Sequence, residues 1–156
     1  MKNFSGVCQA AGADKPLRAF FIWITNIVTS MVSDIIKNLA VVGAGSFVGG
    51  AARYLVSLMM KGANKGFPWA TLIVNLVGCF QIGLLWGLFS RTASEGNNWA
   101  LFLTVGLCGG FTTFSTFSKE ALIMLQSGNI WGFAGYITLS VIVGIGLVAA
   151  GYYLCR

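Results

Sequence analysis

The stretch Gly106-Leu-Cys-Gly-Gly-Phe-Thr-Thr-Phe-Ser-Thr-Phe-Ser118 concentrates unusual chemistry. Two adjacent glycines, Gly109 and Gly110, precede hydroxyl residues set among phenylalanines. Glycine pairs weaken a helix, and Thr and Ser side chains offer its backbone alternative hydrogen bonds. A break here would free backbone carbonyls. Inside a bilayer that is tolerated only where protein or a lined cavity satisfies them. Freed carbonyls are hard oxygen ligands, suited to a cation such as Na⁺. Phe114 and Phe117 are three residues apart and so share a helix face. A phenyl ring has a positive edge and a negative face, so ring edges can meet an anion without imposing a full charge. Ordinary packing is the alternative reading of the same pair, and the interleaved hydroxyls weigh against it.

Other polar residues lie in apolar surroundings. Asn75 follows Thr71 by one helical turn. An amide in a bilayer core must find partners or line a polar path, so it either ties helices together or donates to a small hydrated anion. Arg53 falls toward the end of another apolar run. It either snorkels to the interface or attracts anions at a vestibule. Tyr136 and Ser140, four apart, share a face and can add hydroxyls to the track begun by Thr71 and Asn75. Lys119 and Glu120 are expected at the membrane edge, solvated.

The elements that must hold these residues follow from composition. Of 156 residues, 56% are hydrophobic and 9% charged, against about 25% charged in a soluble domain. The spacing predicts an all-α membrane protein with four spans, at about 35–60, 68–89, 99–125 and 130–154, each near the roughly 20 residues a crossing needs. Pro68 opens the second, where a helix tolerates proline. Trp69, Trp99 and Trp131 fall near span ends, as in an aromatic belt. The third span is expected to be broken at Gly109–Gly110. Gly45-x-x-x-Gly49 reads as a close helix–helix contact. It lacks the spacing and the βαβ context of a nucleotide-binding loop.

Residues 1–30 differ from the rest. Lys2, Lys15 and Arg18 precede a short apolar run, Phe20 to Val28, interrupted by Thr25 and Asn26. It resembles a poor signal peptide or an interfacial helix. The chain therefore divides into an N-terminal extension, 1–30, and a four-span domain, 31–156. Without the extension, Lys37, Arg91 and Arg156 mark one side and Lys61 and Lys65 the other. So even a balance gives little preference of orientation. Such a chain can insert both ways and pair with itself as an antiparallel dimer. The extension would add positive charge to the first side.

Several function classes drop out. The net charge of +6 comes from scarce acids, with no basic cluster of the kind that binds nucleic acid. Contact with anionic lipid headgroups accounts for it. There is no histidine, and the four cysteines are far apart. No paired carboxylates or metal-ligand cluster suggest an enzyme, and no catalytic residue is expected. A small proton-coupled four-span exporter needs a membrane-embedded carboxylate, for which Glu120 is the only candidate beyond Asp34 at an edge.

Three motifs carry a family resemblance: Gly49-Gly50-Ala-Ala-Arg53-Tyr54, Pro68-Trp-Ala-Thr71-Leu-Ile-Val-Asn75-Leu-Val-Gly78 and Gly109-Gly110-Phe-Thr-Thr-Phe-Ser-Thr-Phe117. From about Ile35 to Arg156 the chain resembles the Fluc/CrcB family of fluoride channels; residues 1–30 fall outside. The resemblance implies an antiparallel, dual-topology homodimer in a bacterial inner membrane, exporting fluoride by passive flow through two pathways. It implies that Phe114 and Phe117 line the pathways with ring edges and that Asn75 is the pore amide. It makes Thr71, Ser115, Thr116, Tyr136 and Ser140 a polar track, and Arg53 a vestibule residue. Carbonyls of Gly109 and Thr112 from both subunits would hold a central structural Na⁺. Gly144 stands one turn after Ser140, where the family can carry another hydroxyl, so a shorter track is expected here.

Overall fold

The computed structural model describes the backbone of residues 5–62, 66–92 and 97–156, and side chains from Arg18 onward within them, Thr92 excepted. All regular structure among the described residues is helical. Four segments are long and apolar enough to cross a membrane: Arg18–Met59, Trp69–Arg91, Asn98–Gln126 and Ile130–Cys155. The chain forms two compact units, dividing between Leu39 and Ala40.

The first helix, α1, spans Ser5–Met59 and so crosses that division. It begins well before Ile35, where the apolar pattern placed the first span. Between Arg18 and Leu39 the sequence has neither glycine nor proline, so nothing local stops the helix. In the first unit the described side chains are exposed apart from Ser33, including Phe20, Phe21, Trp23 and Met31.

The second unit is a bundle. Helix α2 spans Trp69–Thr92. Helix α3 (Asn98–Leu101) continues as a π-helical stretch, Phe102–Cys108, then as a short turn, α4 (Gly109–Phe111). Helix α5 spans Phe114–Gln126. Helix α6 (Ile130–Thr138) passes through a second π-helical stretch, Leu139–Val143, into α7 (Gly144–Cys155). In lipid the hydrophobic effect does not hold helices together, so close backbone approach must. Two glycine pairs provide it. A Cβ on Gly45 would stand 2.9 Å from Gly106 Cα, and one on Gly110 would stand 2.5 Å from the Ser46 carbonyl oxygen. Thus Gly45-x-x-x-Gly49 meets Gly106-x-x-x-Gly110 directly. On α2, Gly83 and Gly87 meet the α7 backbone at Val148 and Tyr152 in the same way. Arg91 Nη1 donates to the Cys155 carbonyl at 3.4 Å, tying the ends of α2 and α7. A buried apolar cluster of Leu72, Ala121, Met124 and Tyr136 joins α2, α5 and α6, with Phe117 packed against it.

Cys79, Cys108 and Cys155 are free thiols; Cys8 lies outside the described side chains.

Candidate functional site

The helical path is interrupted between Phe111 and Phe114, not at Gly109–Gly110, which stay helical in α4. Thr112 (φ −80°, ψ 159°) and Thr113 (φ −151°, ψ 114°) are both extended. Two side chains redirect the backbone there. Asn75 Oδ1 accepts from the Thr113 N–H at 2.9 Å, and its Nδ2 donates to the Thr113 carbonyl at 3.2 Å. Thr113 then caps α5, its Oγ1 accepting from the Thr116 N–H at 3.3 Å. In an uninterrupted helix the Thr113 N–H would close on Gly109 O and the Thr116 N–H on Thr112 O. Both donors are diverted, so both carbonyls lose their helical partners.

Two cavities adjoin this junction. One, of about 420 Å³, is lined by Asn75, Thr112, Thr113, Phe114, Phe117 and Ser140, with Gly109 also in its wall. The rings of Phe114 and Phe117 are 5.8 Å apart, tilted by 37°. Phe114 is 80% exposed, whereas Phe117 is partly buried against Tyr136, 5.0 Å away. Ser140 Oγ is buried and finds no hydrogen-bond partner among the described residues. A buried hydroxyl left unpaired is costly, and Ser140 lines this cavity. The other cavity, of about 200 Å³, is lined by Arg53, Ser57, Thr71, Thr113 and Thr116. Arg53 Nε also finds no partner among the described residues. Thr113 belongs to both walls.

A third group links three helices. Thr71 Oγ1 donates to Glu120 Oε1 at 2.9 Å, and Tyr136 Oη donates to Glu120 Oε2 at 2.8 Å. Thr71 is 8% exposed and Tyr136 is fully buried. Glu120 is half-buried and also lines a cavity of about 320 Å³ beside Phe67, Pro68 and Asn129.

The sequence-derived residues therefore sort into three places. Asn75, Phe114, Phe117, Ser140, Gly109 and Thr112 share one cavity. Arg53, Thr71 and Thr116 share the next. Tyr136 joins Thr71 at the Glu120 carboxylate, which accepts from both hydroxyls. Ser115 is exposed outside both cavities, with its Oγ 3.4 Å from Thr113 Oγ1. A second expectation is corrected. Glu120 is not fully solvated: it is half-buried, and two hydroxyls from other helices hold its carboxylate. Its spacing was the available signal: Glu120 lies three residues after Phe117 and four after Thr116, on the face they share. Thr113, which joins the two cavities and caps α5, was also missed.

Among the described residues no three His, Cys, Asp or Glu side chains could hold a metal together. The carbonyls that the interruption leaves without helical partners are those of Gly109 and Thr112. Uncharged oxygen is hard and suits an alkali ion.

Residues 40–152 match the family model described as CrcB-like protein, Camphor Resistance (CrcB). The chain is 40% identical over 121 residues to a fluoride-specific ion channel FluC of Desulfotalea psychrophila, covering 78% of this chain and 94% of that relative. It is 44% identical over 118 residues to a fluoride-specific ion channel FluC 1 of Yersinia pseudotuberculosis, covering 76% and 93%. It is 44% identical over 120 residues to the FluC channel of Agrobacterium fabrum, covering 76% and 96%. Those relatives are named as channels, not enzymes. Four apolar segments joined to this likeness make the protein a multi-pass membrane protein, and the chain belongs to the CrcB-like family.

Proposed function

We propose that the chain is one subunit of a fluoride channel that lets cytoplasmic fluoride leave by passive flow and so limits its toxicity. The observation that carries this reading is the interrupted third span, with its two cavities meeting at Thr113. Fluoride is small and strongly hydrated, and a pathway for it must replace water with donors that do not hold it too tightly. The Arg53 guanidinium would gather anions at the mouth of the smaller cavity. The second N–H of the Asn75 amide, the Ser140 hydroxyl and the ring edges of Phe114 and Phe117 would line the larger one. Thr71, Ser115, Thr116 and Tyr136 would supply further hydroxyls. The α5 N-terminus, beside Phe114, adds the positive end of a helix dipole.

The functional unit would be an antiparallel homodimer inserted in both orientations. The near-even charges of the four-span domain, taken without residues 1–30, favour this. A partner would also cover Phe114, 80% exposed in one copy. Gly109 and Thr112 carbonyls from both copies would hold one Na⁺ at the interface. That ion would stabilise the broken backbone and carry no redox chemistry.

Fluoride efflux from liposomes holding the purified protein, with chloride as the control anion, tests the reading. Fast, fluoride-selective efflux that needs no proton gradient supports it. Absence of fluoride flux overturns it. Glu120 gives a second reading a specific footing, since a proton-coupled exporter needs an embedded carboxylate. Flux that requires a proton gradient would favour that alternative.

A further inference from the structure

Where α2 and α7 end together, three kinds of side chain stand in order along the helices. Innermost is a cavity of about 270 Å³ lined by Ile82, Trp86, Phe89, Ala100, Thr104 and Val148. Its one hydroxyl is spent inside the protein, Thr104 Oγ1 donating to the Ala100 carbonyl at 2.6 Å. The side chains around it are otherwise apolar or aromatic. Next come two rings: Trp86, 54% exposed, lies 4.6 Å from Tyr152. Outermost are two exposed guanidiniums. Arg156 Cζ lies 5.6 Å over the Tyr152 ring, and Arg91 Nη1 donates to the Cys155 carbonyl at 3.4 Å. Val148, Tyr152 and Arg156 recur at steps of four, so one face of α7 runs from apolar through aromatic to charged.

That order and its length match one leaflet of a bilayer. Ile82 stands nine residues before Arg91, about 14 Å by helical rise, and half of the hydrocarbon core is about 15 Å. Aromatic rings suit the level where tails meet headgroups. Neither guanidinium has a carboxylate partner among the described residues. The described acids are engaged elsewhere: Asp34 with Lys37 at 3.8 Å, and Glu120 with two hydroxyls. Glu120 also belongs to the far end of α2, since its partner Thr71 stands twenty residues before Arg91, about 30 Å away by helical rise. Glu95, four residues after Arg91, lies outside the described residues. A guanidinium presents a planar fork of donors that fits phosphate.

We propose that this end of the bundle binds an anionic phospholipid, with its phosphate on Arg91 and Arg156, its glycerol level against Trp86 and Tyr152, and one acyl chain in the cavity. A second copy of the chain fits less well, because it would bring the arginines no described carboxylate that is not already held. Ile82 and Thr104 also line the larger cavity, so the tail would end against a wall of that cavity. The proposal does not depend on which ion the bundle conducts.

Two measurements on the full chain test it. Native mass spectrometry in detergent compares phosphatidylglycerol with phosphatidylcholine of matched acyl chains. Phosphatidylglycerol should bind at least about tenfold more tightly, as expected for two arginines facing an anionic headgroup. Arg91→Gln combined with Arg156→Gln should remove that preference and leave phosphatidylcholine binding unchanged, which also shows that the fold survives. Phosphatidylglycerol with a photoreactive diazirine in its tail then locates the chain in vesicles. Adducts should concentrate at Ile82, Trp86 and Val148 rather than at exposed apolar residues elsewhere in the bundle, such as Ile130, Trp131 and Ile145. No headgroup preference, or one that survives the double substitution, overturns the proposal. So does a preference that emerges only with Glu95→Gln, which would mean that this acid already holds Arg91. Adducts spread evenly over the exposed apolar faces would mean annular lipid only. Adducts elsewhere but none in the cavity would mean that protein covers it. Either pattern also overturns the proposal.

Discussion

Asn75 grips the peptide of Thr113 from both sides, accepting from its N–H at 2.9 Å and donating to its carbonyl at 3.2 Å. One amide on α2 thereby sets the backbone of the interrupted segment. Replacing it separates shape from chemistry. Asn75→Asp keeps the acceptor and loses the donor, and Asn75→Leu loses both. A buried group left unpaired costs about 1–3 kcal/mol. Both variants are expected to lower the thermal midpoint in detergent, Leu more than Asp, and to abolish fluoride efflux. Wild-type efflux from Asn75→Leu would show that the interruption needs no clamp.

Phe114→Ile and Phe117→Ile should each reduce fluoride efflux at least about tenfold, the effect of losing roughly 1.4 kcal/mol of interaction. Phe114→Ile should leave the fold of the single subunit intact, because that ring is exposed there. Phe117→Ile should also cost stability, since its ring packs 5.0 Å from Tyr136. Full efflux from either variant would remove the ring edges from the pathway.

Glu120 accepts from Thr71 and Tyr136 at once, so the three should act as a unit. Thr71→Val and Tyr136→Phe each remove one donor. Their effects on stability are expected to be non-additive in a cycle with Glu120→Gln. Simple addition, measured by thermal denaturation in detergent, would mean that the hydroxyls and the carboxylate are independent.

The glycine contacts make a graded prediction. A Cβ on Gly43 meets nothing within 4 Å, whereas one on Gly49 would clash with the backbone of Leu107 and lie 2.7 Å from Phe111 N. Gly43→Ala should therefore fold with normal yield and efflux. Gly49→Ala should lower the yield of folded protein, because a backbone rather than a side chain must move. Equal yields would mean that the two helices can part without cost.

What could be read from the sequence, and what could not, depends on how local each signal is. The four apolar segments are runs of consecutive residues, and a window finds them. The Gly109–Gly110 pair and the hydroxyls after it are likewise local. The partners of Glu120 come from α2 and α6, 49 and 16 residues away. A charge near a span end, seen without them, looks solvated. Asn75 was visible as an amide in an apolar run, but its acceptor is 38 residues distant, and only the folded bundle shows it occupied by Thr113. The first helix began early for the opposite reason. Its apolar run is short, yet the helix continues because neither glycine nor proline stops it between Arg18 and Leu39.

The diverted hydrogen bonds at the interruption also bear on how the protein is made. The acceptor for the Thr113 N–H belongs to α2, a different helix. Until the two meet in the bilayer, that N–H has only its own chain to bond, and hydrocarbon offers nothing else. The interruption in the third segment therefore has its hydrogen bonds satisfied only once that segment and α2 pack together, which makes the break a product of assembly as well as of local sequence.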